Sequence, residues 1–182
     1  MYPCDVNLFI LGNYYKTMII ISVGSNLPGA WGDNPYEMCQ KAFYYLGKKL
    51  NDTSMIVSPM YQTTPIPPSS QPLYINGVIL FDSQIPCEDL LSILNDLEDK
   101  AGRIRQKINE SRPLDLDIIA YHDKIIKDSS RLIVPHPRAH LRAFVLYPLR
   151  DVLPNWVHPE SKKSLDELIS ELPPDQGIEP YI

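Results

Sequence analysis

Apolar residues in this chain recur with two periods, and the change from one to the other marks out the elements. Residues 18–24, MIIISVG, are apolar almost without a break and end in glycine, which predicts a buried strand. Asn34-Pro35-Tyr36-Glu37 then offers a capping side chain, a proline at the first helical position and a glutamate where a capping box wants one. Met38, Ala42, Tyr45, Leu46 and Leu50 follow at helical spacing, so a helix to about residue 50 turns one apolar face inward. Two β-branched runs, TSMIVSPM (53–60) and LYINGVILFDS (73–83), predict strands. The loop between them, YQTTPIPPSSQP, is stiffened by its prolines and suits a binding edge. Pro86 opens a second helix through Leu90, Leu91, Leu94 and Leu97, and Gly102 stops it. LDLDIIAY is the next strand; His122-Asp123 turns it into a further one, KIIK, and Ser164 with Glu167 caps a helical tail.

The resulting order, β-α-β-β-α-β, is that of a ferredoxin-like split βαβ, a mixed α+β fold. It predicts an antiparallel sheet with helices on one face, followed by a C-terminal helical extension. With 182 residues there is enough chain for one core, so 18–182 are expected to form a single domain. Residues 1–17 read as an N-terminal extension, with Met18 a natural start.

One strand breaks the usual rule for core segments. In SRPLDLDIIAYHDK (111–124), alternation sends Leu114, Leu116 and Ile118 to one face and Asp115 and Asp117 to the other. The two carboxylates then stand about 7 Å apart at the backbone, looking the same way. In a cleft such a pair repels itself unless a cation sits between the groups. Charge along the chain points in the same direction. All seven arginines fall between residues 103 and 150; with three lysines against five acids that window is +5 in a chain of net −5, so the remainder carries −10. Arginine gathered around paired aspartates favours a bound polyanion such as a phosphate chain, with magnesium held by the carboxylates. A long nucleic acid is disfavoured, because the acidic remainder would repel it.

Other chemistries lack their residues. Neither G-x-x-x-x-G-K-[ST] nor G-x-G-x-x-G occurs, so side chains must hold any phosphate: Arg103, Arg105, Arg112 and Arg142 are the candidates. His136 and His140 are four apart, but Pro135 and Pro137 make a helical metal pair a poor reading, and a hydrogen bond from His136 to phosphate or ribose is preferred. His140 and His158 read as surface histidines. No G-x-S-x-G or cysteine-histidine signature supports a nucleophilic triad. Three scattered cysteines give no disulfide framework, and no apolar run is long enough to span a bilayer, so a cytoplasmic location away from membranes is expected. Tyr74, Asn76 and Phe144 are unremarkable singly; together they could sandwich a flat heterocycle and read its edge.

Five stretches, in order, resemble the 6-hydroxymethyl-7,8-dihydropterin pyrophosphokinase family: GSN (24–26), YQTTPIPPSSQPLYIN (61–76), GRIR (102–105), RPLDLDI (112–118) and RLIVPHPRAHLRAFVLYPL (131–149). The resemblance covers roughly residues 18–160. It implies a ferredoxin-like enzyme of folate biosynthesis that moves the β,γ-pyrophosphoryl group of ATP onto the pterin hydroxymethyl oxygen and releases AMP. It further implies that Asp115 and Asp117 hold two magnesium ions and that Arg103 and Arg112 contact phosphates. It also implies that Asn95, Glu98, Arg105, Ile118, Arg131, His136 and Arg142 fall at ATP contacts. By the same resemblance, Thr63, Pro65, Ile66, Tyr74, Asn76 and Phe144 match the pterin pocket, with Tyr74 and Phe144 expected on the ring faces. The expected partners are these two small molecules, with no nucleic acid and no membrane, and the enzyme is expected to act as a monomer. The rival readings are a non-catalytic nucleotide- or RNA-binding module on the same scaffold, and a pseudoenzyme. The latter is motivated by one departure: where many members read Arg-Trp-Gly-Pro before the arginine matched by Arg112, this chain reads Ile108-Asn109-Glu110-Ser111, with Lys107 the candidate to replace the missing positive charge.

Overall fold

A computed structural model describes residues 17–52, 54–104, 110–129 and 132–182. Five strands form the main path of an antiparallel sheet in the order β5-β1-β4-β3-β8. They are β1 (Met18–Ser25), β3 (Tyr61–Thr63), β4 (Tyr74–Asp82), β5 (Asp115–Tyr121) and β8 (Ile178–Pro180), with β2 (Ile56–Val57) pairing β4 off that path. Helices α1 (Pro35–Leu50) and α2 (Cys87–Lys100) cover one face, as the ferredoxin-like order requires. The helical extension, α3 (Ala143–Val152) and α4 (Leu165–Ser170), covers the other face.

Coverage of both faces explains the unbroken apolar run of β1. Ile19, Ile21 and Val23 pack toward α1 and α2, while Met18 and Ile20 pack toward α3 and α4, so all eight strand residues are buried. The predicted strand over 53–60 is interrupted instead. Ile56 and Val57 pair with β4, and then Ser58 turns its hydroxyl inward to accept from Val78 N at 2.9 Å. Pro59 has no N–H to give a ladder, so pairing resumes only at Tyr61, inside what the sequence presented as loop. KIIK becomes β6 (Ile126–Ser129), which pairs with β7 (Leu132–Val134) in a separate ribbon.

Helix ends follow their signals. Asn34 Oδ1 accepts from Glu37 N at 3.0 Å, and the Glu37 carboxylate reaches back to Asp33 N at 2.8 Å, one residue before a strict capping box. Ser164 and Glu167 make the full box at α4. Gly102, at φ +94°, ends α2 in a Schellman arrangement: Gly102 N donates to Asp99 O and Arg103 N to Glu98 O, both at 3.0 Å. His158, expected at the surface, is instead buried at 5% exposure with its ring against Trp156. Its Nδ1 accepts from Glu160 N and Ser161 N, so a local turn draws it inward.

Candidate active site

The Schellman turn that closes α2 also delivers the first catalytic candidate. It sets Arg103 one turn beyond Glu98, and Arg103 Nη1 donates to Glu98 Oε1 and to Asp115 Oδ1, both at 2.6 Å. Glu98, only 2% exposed, also accepts from Leu116 N at 2.7 Å, which ties α2 to β5 at the level of the aspartates. Arg112 Nη2 donates to the other oxygen, Asp115 Oδ2, at 2.5 Å. Burial alone would raise the Asp115 carboxyl; the two guanidiniums outweigh it and hold the group below the usual carboxylate range.

Asp117 is placed differently. Among the described residues, the Arg142 guanidinium lies 3.7 Å from it and the His136 imidazole 3.8 Å, both beyond hydrogen-bond reach. Burial first and the Asp115 charge second push its carboxyl up to about 6. His136 reaches this position because β5 bulges: Ile20 pairs with Ala120 but Ile21 with Ile118, and the extra residue, Ile119, offers its carbonyl to His136 N at 2.9 Å. Burial, with Arg142 and Arg138 adding to it, lowers the His136 imidazole to about 4, so it is neutral at pH 7. Its Nδ1 accepts from Arg138 N at 3.2 Å, which leaves the proton on Nε2, on the side of Asp117.

All six residues assigned to a flat ring meet in one cavity. Thr63, Pro65, Ile66, Tyr74, Asn76 and Phe144 line it together with Arg112, Arg142 and Asp115. Asn76 Nδ2 donates to Thr63 Oγ1 at 2.7 Å, which fixes the amide with its oxygen as the remaining acceptor. The Arg112 guanidinium lies 5.4 Å from the Tyr74 ring centre, and that of Arg142 lies 5.2 Å from the Phe144 ring centre. A second cleft, lined by Asn95, Glu98, Arg103, Asp115 and Asp117, opens on the α2 side. Asp115 is common to both. Ile118 does not join either group: its side chain is buried in the core under α1 and α2. Arg105 and Arg131 lie outside the described residues, as do Lys107, Ile108 and Asn109 of the altered loop.

Two further residues shape the site and were not assigned from the sequence, although both belong to the GSN stretch quoted above. Gly24 pairs with Asn76 on one side and Asp115 on the other, and a Cβ there would stand 2.7 Å from Asn76 Oδ1. Asn26, 2% exposed, accepts from Arg112 N at 2.8 Å through Oδ1. Its Nδ2 lies 3.3 Å from each of Gln71 Oε1, Pro72 O and Ser111 Oγ, so one amide joins three segments around the cavity.

The donor set can be tested against magnesium. Two carboxylates, one of them beyond hydrogen-bond reach of its guanidinium neighbour and raised by burial and by the charge of the other, suit a hard divalent ion. Among the described residues no group of three or more His, Cys, Asp or Glu side chains converges, so an ion here would complete its shell from substrate oxygens and water.

The family model described as 7,8-dihydro-6-hydroxymethylpterin-pyrophosphokinase (HPPK) matches residues 20–154. A Pseudomonas aeruginosa 2-amino-4-hydroxy-6-hydroxymethyldihydropteridine pyrophosphokinase is 37% identical over 88% of this chain and 94% of its own length. The Haemophilus influenzae protein of the same name is 33% identical over 84% of this chain and 88% of its own. The folic acid synthesis protein fol1 of Schizosaccharomyces pombe is 35% identical over 88% of this chain, which spans only 21% of that longer protein. Among solved structures, wild-type Plasmodium falciparum HPPK-DHPS shares the fold, with a TM-score of 0.60 at 12% identity over 85% of this chain and 43% of that one. On the strength of a match spanning both clefts and the strand between them, this chain belongs to the 7,8-dihydro-6-hydroxymethylpterin-pyrophosphokinase family.

Proposed function

We propose that this chain is a magnesium-dependent enzyme of folate biosynthesis that transfers the β,γ-pyrophosphoryl group of ATP to the hydroxymethyl oxygen of 6-hydroxymethyl-7,8-dihydropterin. The observation that carries the reading is the shared wall: Asp115 borders both the cavity with aromatic walls and the cleft under α2. A heterocycle in the first and a triphosphate in the second would meet there. In the reaction the pterin oxygen forms a bond to the β-phosphorus, the bond between that phosphorus and the α,β-bridging oxygen breaks, AMP leaves, and the hydroxyl proton is released.

The residues supply position and charge rather than a covalent nucleophile. Tyr74 and Phe144 hold the ring faces, and the Asn76 amide, oriented by Thr63, reads its edge. Arg103 and Arg112 offset charge on the transferring group; Arg112 Nε is buried with no partner among the described residues, a donor suited to a phosphate oxygen. Neutral His136 offers Nε2–H to phosphate, and Arg142 faces Asp117 from α3's N-terminus. Asp115 and Asp117 would hold two Mg2+, which when bound neutralise and orient the triphosphate oxygens. Asn95 and Glu98 border the nucleotide side. We take the enzyme to be a cytoplasmic monomer, its domain spanning 18–182, with these small molecules as its partners; among the described residues no helix is long and apolar enough to cross a membrane.

The test is to follow AMP release from ATP, magnesium and the pterin. Asp115→Ala and Asp117→Ala should each lower kcat by at least about a hundredfold. ATP binding without AMP release by the parent protein would overturn the catalytic reading in favour of a pseudoenzyme.

A further inference from the structure

Residues 176–178 lie beyond the stretch matched by the family model, yet they touch the chain on two sides of the aromatic cavity. On one side, Gly177 O accepts from Thr64 N at 3.0 Å, and Ile178 pairs with Thr63 at the start of the β8–β3 ladder. The approach is close, since a Cβ on Gly177 would stand 2.9 Å from Thr64 Cγ2. On the other side, Gln176 Oε1 accepts from Ala143 N at 2.8 Å, and Gln176 Nε2 donates to Leu141 O at 2.9 Å. These two bonds bracket Arg142, and Phe144 follows directly.

The second contact has a specific cause. A helix begins with N–H groups that have no partner in the helix, and a Ser, Thr, Asp or Asn side chain at the N-cap normally accepts one. In α3 the N-cap is Arg142, whose guanidinium has only donors and which faces Asp117. It cannot cap. Gln176, 33 residues away in sequence, supplies the acceptor instead.

The geometry points to Gln176 as a positioning residue for the pterin, a role that rests on reading this cavity as the pterin pocket. It sets where Arg142 and Phe144 stand, and Gly177, the next residue, accepts from Thr64 N at the cavity's edge. The Phe144 face of the stack and the Thr64 edge of the cavity are therefore both tied to one short segment outside the family's matched region.

Steady-state kinetics and melting of Gln176→Ala and Gln176→Glu test this. Gln176→Ala should raise KM for the pterin about tenfold, with kcat altered much less and Tm within about 2 °C of the parent. Gln176→Glu keeps an acceptor for Ala143 N but has no donor for Leu141 O, so its KM should fall between the two. A pterin KM within twofold of the parent in Gln176→Ala would overturn the inference. So would a rise that follows a fall in Tm and that glutamate does not relieve. A parent protein that neither binds nor converts the pterin would refute the pocket assignment itself, and this inference with it.

Discussion

At the scale of single residues, the two aspartates two positions apart differ because their surroundings differ. Asp115 has a guanidinium on each oxygen, whereas Asp117 has, among the described residues, one guanidinium at 3.7 Å and a neutral imidazole at 3.8 Å. A folded-state carboxyl raised to about 6 means that the fold binds that proton more tightly than the unfolded chain does. The associated stability is thus present below the ordinary carboxylate value near 4 and is lost as pH rises through about 6. Because the Asp117 side chain is 35% exposed, solvent screening leaves the penalty at about 1 kcal/mol. In EDTA, Asp117→Asn should therefore melt above the parent protein at pH 7.5, and the two curves should converge toward pH 4. Equal melting temperatures at pH 7.5 would exclude a charge conflict at this position. The alternation that separates Asp115 and Asp117 from Leu114, Leu116 and Ile118 was legible in the sequence, because strand periodicity is local. Their unequal environments were not, because Arg103, Arg142 and His136 come from three other segments.

Elements carry the site through their ends and irregularities. The Schellman turn at Gly102 places Arg103, the bulge at Ile119 anchors His136, and the start of α3 presents Arg142 and Phe144. A Cβ on Gly102 would clash with nothing, the nearest atom being Ala30 N at an ordinary contact distance of 3.8 Å, so a substitution there acts through backbone conformation alone. At φ +94°, Gly102→Ala should cost about 1 kcal/mol and loosen Arg103 from Asp115. Calorimetry and AMP release should show both effects, with Gly102→Asn less affected because asparagine tolerates positive φ. Unchanged turnover in Gly102→Ala would mean that Arg103 keeps its place without the turn. The glycine stop was readable, since a helical apolar period ended there. The bulge was not, because DIIAY shows no sign of which residue will lack a partner. Nor was α3: Arg142 is no conventional cap and Pro148 sits inside the helix, so local signals argued against what burial of Val145, Leu146 and Leu149 secures.

Across the whole molecule, the site lies where segments distant in sequence converge, so ligands should stabilise the fold by linkage. Magnesium with a non-hydrolysable ATP analogue at a hundred times its Kd should add about 2.7 kcal/mol, read as a rise in Tm. Asp115→Ala should lose most of that rise; a full rise in the variant would place the nucleotide elsewhere. The sequence by itself determined the order of the central elements β1, α1, β4, α2 and β5, the single apolar face of α1 and α2, the aspartate pair and the proline-rich loop that borders the cavity. Each of these is encoded by neighbours within a few positions, where periodicity, caps and turn residues act. Only the tertiary structure decided that α3 and α4 cover the second face, that His158 turns inward against Trp156, and that Gln176 caps a helix from 33 residues away. Such pairings depend on where the chain returns in space, and no local pattern of apolar and polar residues specifies that.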